Sequence, residues 1–150
     1  MEIERKFLVA ALPSHLEQYT CHVIEQGYLC TAPVVRIRKQ DDTYILTYKA
    51  RGMMAREEYN LPLDEKSYLH LRSKIDGNLI SKRRYVIPQK DELNIELDIF
   101  EGAFQGMILA EVEFPTKEAA ESYIPPAWLG KDVTFDPKYH NSYLSTLSLS

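Results

Sequence analysis

The sequence predicts a mainly β chain, α+β only through a few short helices, folded as a closed antiparallel eight-stranded barrel. Three observations predict it. Several segments alternate apolar and polar residues with period two, the signature of strands with one buried face. They follow one another in hairpin order with few helices between them. Their polar faces are densely ionic, and rows of Glu, Lys and Arg on neighbouring strands call for an enclosed interior rather than a solvated sheet face.

The clearest alternation is near the C-terminal half. Leu93, Ile95, Leu97 and Ile99 alternate with Asn94, Glu96, Asp98 and Phe100; Ile108, Ala110, Val112 and Phe114 alternate with Met107, Leu109, Glu111 and Glu113. The segment Glu101–Gly106 between them carries two glycines and reverses the chain as a hairpin loop. Further strands are expected at 2–9, 33–40, 43–51, 55–63, 79–87 and 131–135. Asp64 caps a helix over 65–75 with Tyr68, Leu71 and Ile75 on its apolar face and Gly77 beyond its end. Thr116 caps a second helix over 117–124. Asp136-Pro137 opens a terminal helix carrying Tyr143, Leu144 and Leu147, and a further helix can start after Pro13.

The length of 150 residues suits one domain across residues 1–150. Hydrophobic residues make up 45% and charged residues 27%, so the chain has enough apolar surface to fold without staples. No apolar run is long enough for a membrane helix, and the charged start Met1-Glu2-Ile3-Glu4-Arg5-Lys6 is no signal peptide. A cytoplasmic location and reduced Cys21 and Cys30 follow as expectations. The net charge of −4 argues against nucleic acid as a partner, although a basic lining can hide inside an acidic protein.

Residues at i and i+2 of a strand point the same way. Glu2, Glu4 and Lys6 therefore share a face, as do Arg36 and Arg38, Thr47, Lys49 and Arg51, Arg56 and Glu58, Lys82 and Arg84, Glu96 and Asp98, and Glu111 and Glu113. The opposite faces are largely apolar. A single such pair is ordinarily a solvated surface, but seven strands sorted this way point to an ionic lumen. Carboxylate pairs supply hard oxygen ligands for magnesium or manganese, and such ions commonly also ligate phosphates. Guanidinium forks match phosphate oxygens and Lys adds movable point charges. Both sets facing one cavity make a site for a small-molecule polyphosphate. No glycine-rich phosphate loop and no Ser or Cys nucleophile motif is present.

The motifs resemble those of the triphosphate tunnel metalloenzymes, the CYTH superfamily. Glu2-Ile3-Glu4-Arg5-Lys6 resembles their E-x-E-x-K opening. Gln26-Gly27-Tyr28-Leu29, Arg36-Ile37-Arg38, Thr47-Tyr48-Lys49, Arg56-Glu57-Glu58-Tyr59, Lys82-Arg83-Arg84-Tyr85, Glu96-Leu97-Asp98, Glu111-Val112-Glu113 and Tyr139-His140-Asn141 follow in the family's order. The likeness is greatest to the short bacterial members. It implies a divalent metal on Glu2, Glu4, Glu111 and Glu113. It implies a triphosphate bound by Lys6, Arg36, Arg38, Lys49, Arg56, Lys82 and Arg84. Catalytic roles fall to Lys82, Glu111 and Glu113, with Lys82 orienting or activating water. Tyr28, Glu58, Glu96 and Asp98 complete the tunnel, with Tyr28 at one mouth, and Lys138 approaches from the terminal helix. Many members have a second Glu where this chain has Asn60, which puts metal number and pH optimum in question.

The implied activity is hydrolysis of inorganic tripolyphosphate to pyrophosphate and phosphate. Thiamine triphosphatase and adenylate cyclase activities share the scaffold, and a non-catalytic polyphosphate-binding barrel is the rival from another class. A homodimer is left open. Histidines 15, 22, 70 and 140 read as surface residues, Trp128 as a packing anchor, and Tyr44, Tyr48, Tyr59 and Tyr85 as outward residues covered by helices.

Overall fold

A computed structural model describes residues 1–148. Ten strands form one antiparallel sheet: β1 (Glu2–Val9), β2 (Thr20–Thr31), β3 (Val34–Gln40), β4 (Thr43–Lys49), β5 (Ala55–Arg56), β6 (Glu58–Leu63), β7 (Asp76–Pro88), β8 (Asn94–Glu101), β9 (Ile108–Glu113) and β10 (Leu129–Asp132). Nine of them run in the order β10-β1-β9-β8-β7-β2-β3-β4-β6. The short β5 pairs with β1, through Glu2↔Arg56 and Ile3↔Ala55, and brings the two ends together. Only Glu57 separates β5 from β6. Taken as one bent strand, they complete an eight-stranded wall that is nearly closed, with β10 lying outside the closure against the far half of β1.

The count of eight matches the expectation, but the membership differs. The predicted eighth strand at 131–135 is β10, which begins and ends earlier and only flanks β1. The wall instead includes β2, where alternation in sequence is broken. Its register shifts between Gln26 and Tyr28 against β7 and between Tyr28 and Cys30 against β3. A shifted register destroys a strict period of two. Gly27 and Tyr28 are both buried in succession, and a side chain at Gly27 would meet Ile75 at 2.8 Å. Glycine here lets the outer loop pack directly on the strand.

Helix α1 (Glu65–Arg72) has the expected cap, with the Asp64 side chain accepting from the Ser67 backbone N–H. It stops before Ile75, so the apolar face centres on buried Tyr68, which packs on Tyr44 at 5.1 Å between ring centres. Helix α2 (Lys117–Ser122) is capped by Thr116. The predicted terminal helix is shorter than expected: a 3-10 turn over Pro137–Tyr139, then α3 (Asn141–Leu144). The segment after Pro13 forms only a 3-10 turn, Leu16–Gln18. No helix among the described residues is long and apolar enough to cross a membrane. Both cysteines are free.

Two apolar clusters hold the wall. The outer one joins Ile3, Phe7, Ile95, Leu97 and Val112 under α2, with Trp128 and Tyr85 packed against it. The second joins Tyr28, Val34, Ile80, Phe100, Leu109 and Leu144, with Leu8 beside them. By parity, its strand residues belong to the inward rows: Leu8 follows Lys6, Ile80 precedes Lys82, Phe100 follows Asp98, and Leu109 precedes Glu111. These four rows thus turn from ionic to apolar at one end of the barrel, where α3 inserts Leu144. Tyr59, expected beneath a helix, is 60% exposed and pairs instead with Tyr48 at 6.1 Å.

Arg5 clamps the outer layer to β1. Its guanidinium donates to Asp132 Oδ2 at 2.9 and 3.1 Å and to the carbonyls of Ala120 and Tyr123 at 2.9 and 3.0 Å, and it lies 5.0 Å from the Phe7 ring centre. Arg5→Ala is expected to destabilise the fold by about 2–4 kcal/mol, since it strands two carbonyls and a carboxylate. Urea unfolding will read this, and Arg5→Lys should recover less than half, because an ammonium cannot span the same fork.

Candidate active site

The inward rows enclose a cavity of about 300 Å³. β1 contributes Glu2, Glu4 and Lys6; β2 contributes Gln26 and Tyr28; β3 contributes Arg36 and Arg38. Thr47 and Lys49 come from β4, and Arg56, Glu58 and Asn60 from the bent β5–β6 pair. β7 adds Lys82 and Arg84, β8 adds Glu96, and β9 adds Glu111 and Glu113. The side chains anticipated from the sequence thus meet in one space. Asp98 is the exception in degree: it lies behind the lining at 1% exposure, bonded to two residues that face the cavity.

Strand register sets the pairing. Arg84 stands opposite Asp98, and the two form a double hydrogen bond, Nε to Oδ1 at 2.8 Å and Nη2 to Oδ2 at 2.9 Å. Lys82 Nζ lies 2.7 Å from Asp98 Oδ2. Lys6 stands opposite Glu111 and approaches it to 3.2 Å. Lys49 donates to Glu2 at 2.7 Å. Arg56, opposite Glu2, comes within 3.9 Å of it.

Four charged residues of the cavity lining remain without an opposite partner within 4 Å among the described residues. Arg36 donates to Thr47 Oγ1 at 3.2 Å, and its Nε is buried with no acceptor. Arg38 donates only to the Gln26 amide oxygen, at 2.8 Å. Burial, with Arg36 and Arg84 adding repulsion, pushes the Arg38 guanidinium down to about 9. On the other side Glu4 and Glu113 face each other across β1 and β9 with no cation on either. Burial, reinforced by Glu111 and Glu2, lifts the Glu4 carboxyl to about 8. Burial likewise lifts Glu2 to about 7 against the pull of Lys49. An unpaired buried charge is costly, so Arg36, Arg38 and Glu4 mark where a ligand of opposite sign would sit, and the exposed Glu113 opposite Glu4 adds a second carboxylate there. The arginines call for an anion and the glutamates for a cation.

Lys82 is almost fully buried, and burial is the main reason its ammonium falls to about 7; Asp98 opposes the fall while Arg84 and Arg38 add to it. Glu111 behaves oppositely. Burial would raise it, but Lys6, Arg84 and Lys82 hold it well below the carboxylate range. Among the described residues no three His, Cys, Asp or Glu side chains converge as a ready-made metal cage.

Several residues were misplaced or missed from sequence. Lys138 is exposed and outside the cavity, its backbone N–H bonded to Asp136. His140, read as a surface residue, is half-buried at the cavity wall and bonds through Nε2 to the Thr134 carbonyl. Tyr28 is 3% exposed and joins the apolar end of the barrel while still reaching the cavity. Gln26 and Asn141 are buried polar side chains in the lining. Their signal was weak, because Gln26 lies on the irregular β2 and Asn141 reaches the lumen only through the folded terminal segment. Arg51, grouped in sequence with Thr47 and Lys49, lies past the end of β4, exposed and outside the cavity.

The chain is similar to known proteins over nearly its full length. An inorganic triphosphatase of Nitrosomonas europaea is 37% identical over 147 residues, covering 96% of each chain. An inorganic triphosphatase of Acetivibrio thermocellus is 33% identical over 148 residues, covering 95% of this chain and 92% of that one. A crystal structure of an inorganic triphosphatase, 35% identical, superposes with a TM-score of 0.74 over 100% of this chain and 97% of that one. A Pyrococcus horikoshii protein at 20% identity superposes with a TM-score of 0.54 over 81% of each chain, a likeness in fold alone. With the CYTH domain matching residues 1–145, the chain belongs to the CYTH family.

Proposed function

We propose that the chain is a metal-dependent triphosphatase whose preferred substrate is inorganic tripolyphosphate, hydrolysed to pyrophosphate and phosphate. The observation that carries this reading is the split of unpaired charge in one cavity: Arg36 and Arg38 without anions, Glu4 and Glu113 without cations. A substrate with about four negative charges, brought with a divalent cation, would neutralise both. A barrel for anion binding alone would have no use for the unpaired glutamates. The names of the two full-length relatives favour an inorganic triphosphate over an organic one.

The donor set fits a hard divalent cation, since all candidate ligands are carboxylates. Glu2, Glu4, Glu111 and Glu113 would hold it, and the lack of a closed cage suits magnesium or manganese, which keep water and substrate oxygens in their shell. A divalent ion held there would supply charge neutralisation and would make a coordinated water more acidic. The protein's own groups do the rest. Arg36 and Arg38 clamp phosphate oxygens by their forks, and Lys49, Arg56, Lys6 and Arg84 spread further positive charge along the chain. Lys82 would supply the amine beside growing negative charge or an attacking water, and at about 7 it can hold or release a proton near neutrality.

Phosphate release from tripolyphosphate, ATP, thiamine triphosphate and pyrophosphate, each with magnesium or manganese, tests the reading. Tripolyphosphate should turn over fastest and excess EDTA should abolish turnover; full activity in EDTA, or none on any triphosphate, would reject it. Lys82→Ala should lower kcat about a hundredfold or more with a smaller change in KM. A raised KM with intact kcat would make Lys82 a phosphate clamp only.

Metal and pH should be linked through Glu2 and Glu4. Their folded values, about 7 and 8, exceed the ordinary 4.5. The folded chain therefore binds more protons than the unfolded chain between pH 5 and 7, and stability should fall as pH rises through that window. Thermal melts in EDTA should show the fall, and saturating magnesium should flatten it.

A further inference from the structure

The polar groups deepest in the cavity form one chain of hydrogen bonds whose direction is fixed. A guanidinium only donates. Arg38 Nε donates to Gln26 Oε1 at 2.8 Å, so Gln26 must turn its NH₂ the other way. That NH₂ donates to Asn141 Oδ1 at 2.9 Å. Asn141 Oδ1 also accepts from Lys82 Nζ at 2.9 Å. Neither amide can be flipped without setting donor against donor. Arg38 thus dictates, through two amides, that Lys82 meets an oxygen at this point.

The consequence for Lys82 is geometric. Its nitrogen has three positions besides the bond to its own side chain. Asp98 Oδ2 takes one at 2.7 Å and Asn141 Oδ1 takes the second at 2.9 Å. No acceptor among the described residues takes the third, a proton when charged and a lone pair when neutral; Lys82 lines the cavity, with the Phe100 ring centre 5.3 Å from its nitrogen. Asp98 comes from the wall, whereas Asn141 comes from the terminal segment. That segment is anchored elsewhere. Asn78 donates to the carbonyls of Leu144 and Leu147 at 3.2 and 2.7 Å, and a side chain at Gly77 would collide with the Ser145 carbonyl. Asn141 is 8% exposed, so its oxygen has little water to turn to.

We propose that Asn141 is a positioning residue: its carboxamide oxygen, oriented by Gln26 and ultimately by Arg38, aims the free valence of Lys82 at the substrate. The inference rests on the proposed role of Lys82 in turnover. It adds that a residue of the terminal segment sets the aim and that the anion-binding Arg38 is wired to the same nitrogen. An anion that repositions Arg38 shifts the restraint on Lys82, so substrate binding and amine alignment are coupled.

Lys82 feels Asp98 from β8, Glu111 from β9, Arg84 from its own strand and Arg38 from β3. Replacing Asn141 by Asp keeps an acceptor at the same place and adds one more carboxylate to that set. The test compares Asn141→Leu, Asn141→Asp, Lys82→Ala and the Asn141→Leu/Lys82→Ala double variant, each checked for a wild-type thermal melt. Asn141→Leu should lower kcat on tripolyphosphate about tenfold or more with little change in KM. In the Lys82→Ala background it should have no further effect. An equal loss in both backgrounds would overturn the proposal, because Asn141 would then act independently of Lys82. The second readout does not need turnover: a carbon-13 titration of the lysine side chains, with Lys82 assigned by its loss in Lys82→Ala. Asn141→Asp should raise the Lys82 midpoint by about one unit. An unmoved midpoint would overturn the contact itself. A protein inert towards every triphosphate would reject the triphosphatase reading while the titration still decides the Asn141–Lys82 contact.

Discussion

Asp98 is sealed from water, and both of its oxygens are taken by cations: Lys82 at 2.7 Å and Arg84 at 2.8 and 2.9 Å. The interior depends on this ion pair. Lys82 and Arg84 sit two residues apart on one face of β7; in a dry barrel unaided, a buried lysine loses its charge and a buried arginine is left as a costly unpaired one. Asp98 holds Arg84 firmly charged, while Lys82, sharing the same carboxylate, still drops towards neutrality. One buried carboxylate therefore gives two neighbouring cations different characters: a fixed charge and a titrating amine.

Around that pair the barrel separates its charges. Pairs that stand opposite in the ladder neutralise one another, as Lys6 does Glu111 and Arg84 does Asp98. Arg36 and Arg38 face Thr47 and Gln26 across their ladders, so their charge is bonded but not cancelled. Glu4 stands opposite Glu113 with no cation on either, and burial together with Glu111 and Glu2 disfavours the charged form of Glu4, a cost that a cation bound there would remove. The wall thus stores electrostatic strain of both signs, which a metal–phosphate ligand relieves. Stability lost at such a site is the usual counterpart of binding power.

The apolar end of the lumen makes this possible. Leu8, Ile80, Phe100 and Leu109 continue the ionic rows by one step each, and Leu144 packs into them from α3. A barrel ionic throughout would admit water along its whole length and screen the charges. Closing one end raises the strength of every interaction beside it. It also brings Asn141, three residues before Leu144 on the same short helix, against Lys82.

The sequence alone determined the strands with regular alternation and, through them, which charged residues share a face. The parity of Glu2, Glu4 and Lys6, of Lys82 and Arg84, and of Glu111 and Glu113 is a property of the extended chain and survives any arrangement of strands. The caps at Asp64 and Thr116 were legible for the same reason, since each is a contact within four residues. The tertiary structure decided what depends on distant partners. It placed β2 in the wall although bulges break its alternation, and put the predicted strand near 131 outside the closure. It left Lys138 in solvent and drew His140 and Asn141 into the cavity, because the terminal segment is steered by Asn78 and Leu144 rather than by its own pattern. It also chose which charges cancel. Register across strands, not spacing along them, leaves Arg36, Arg38, Glu4 and Glu113 free for a ligand.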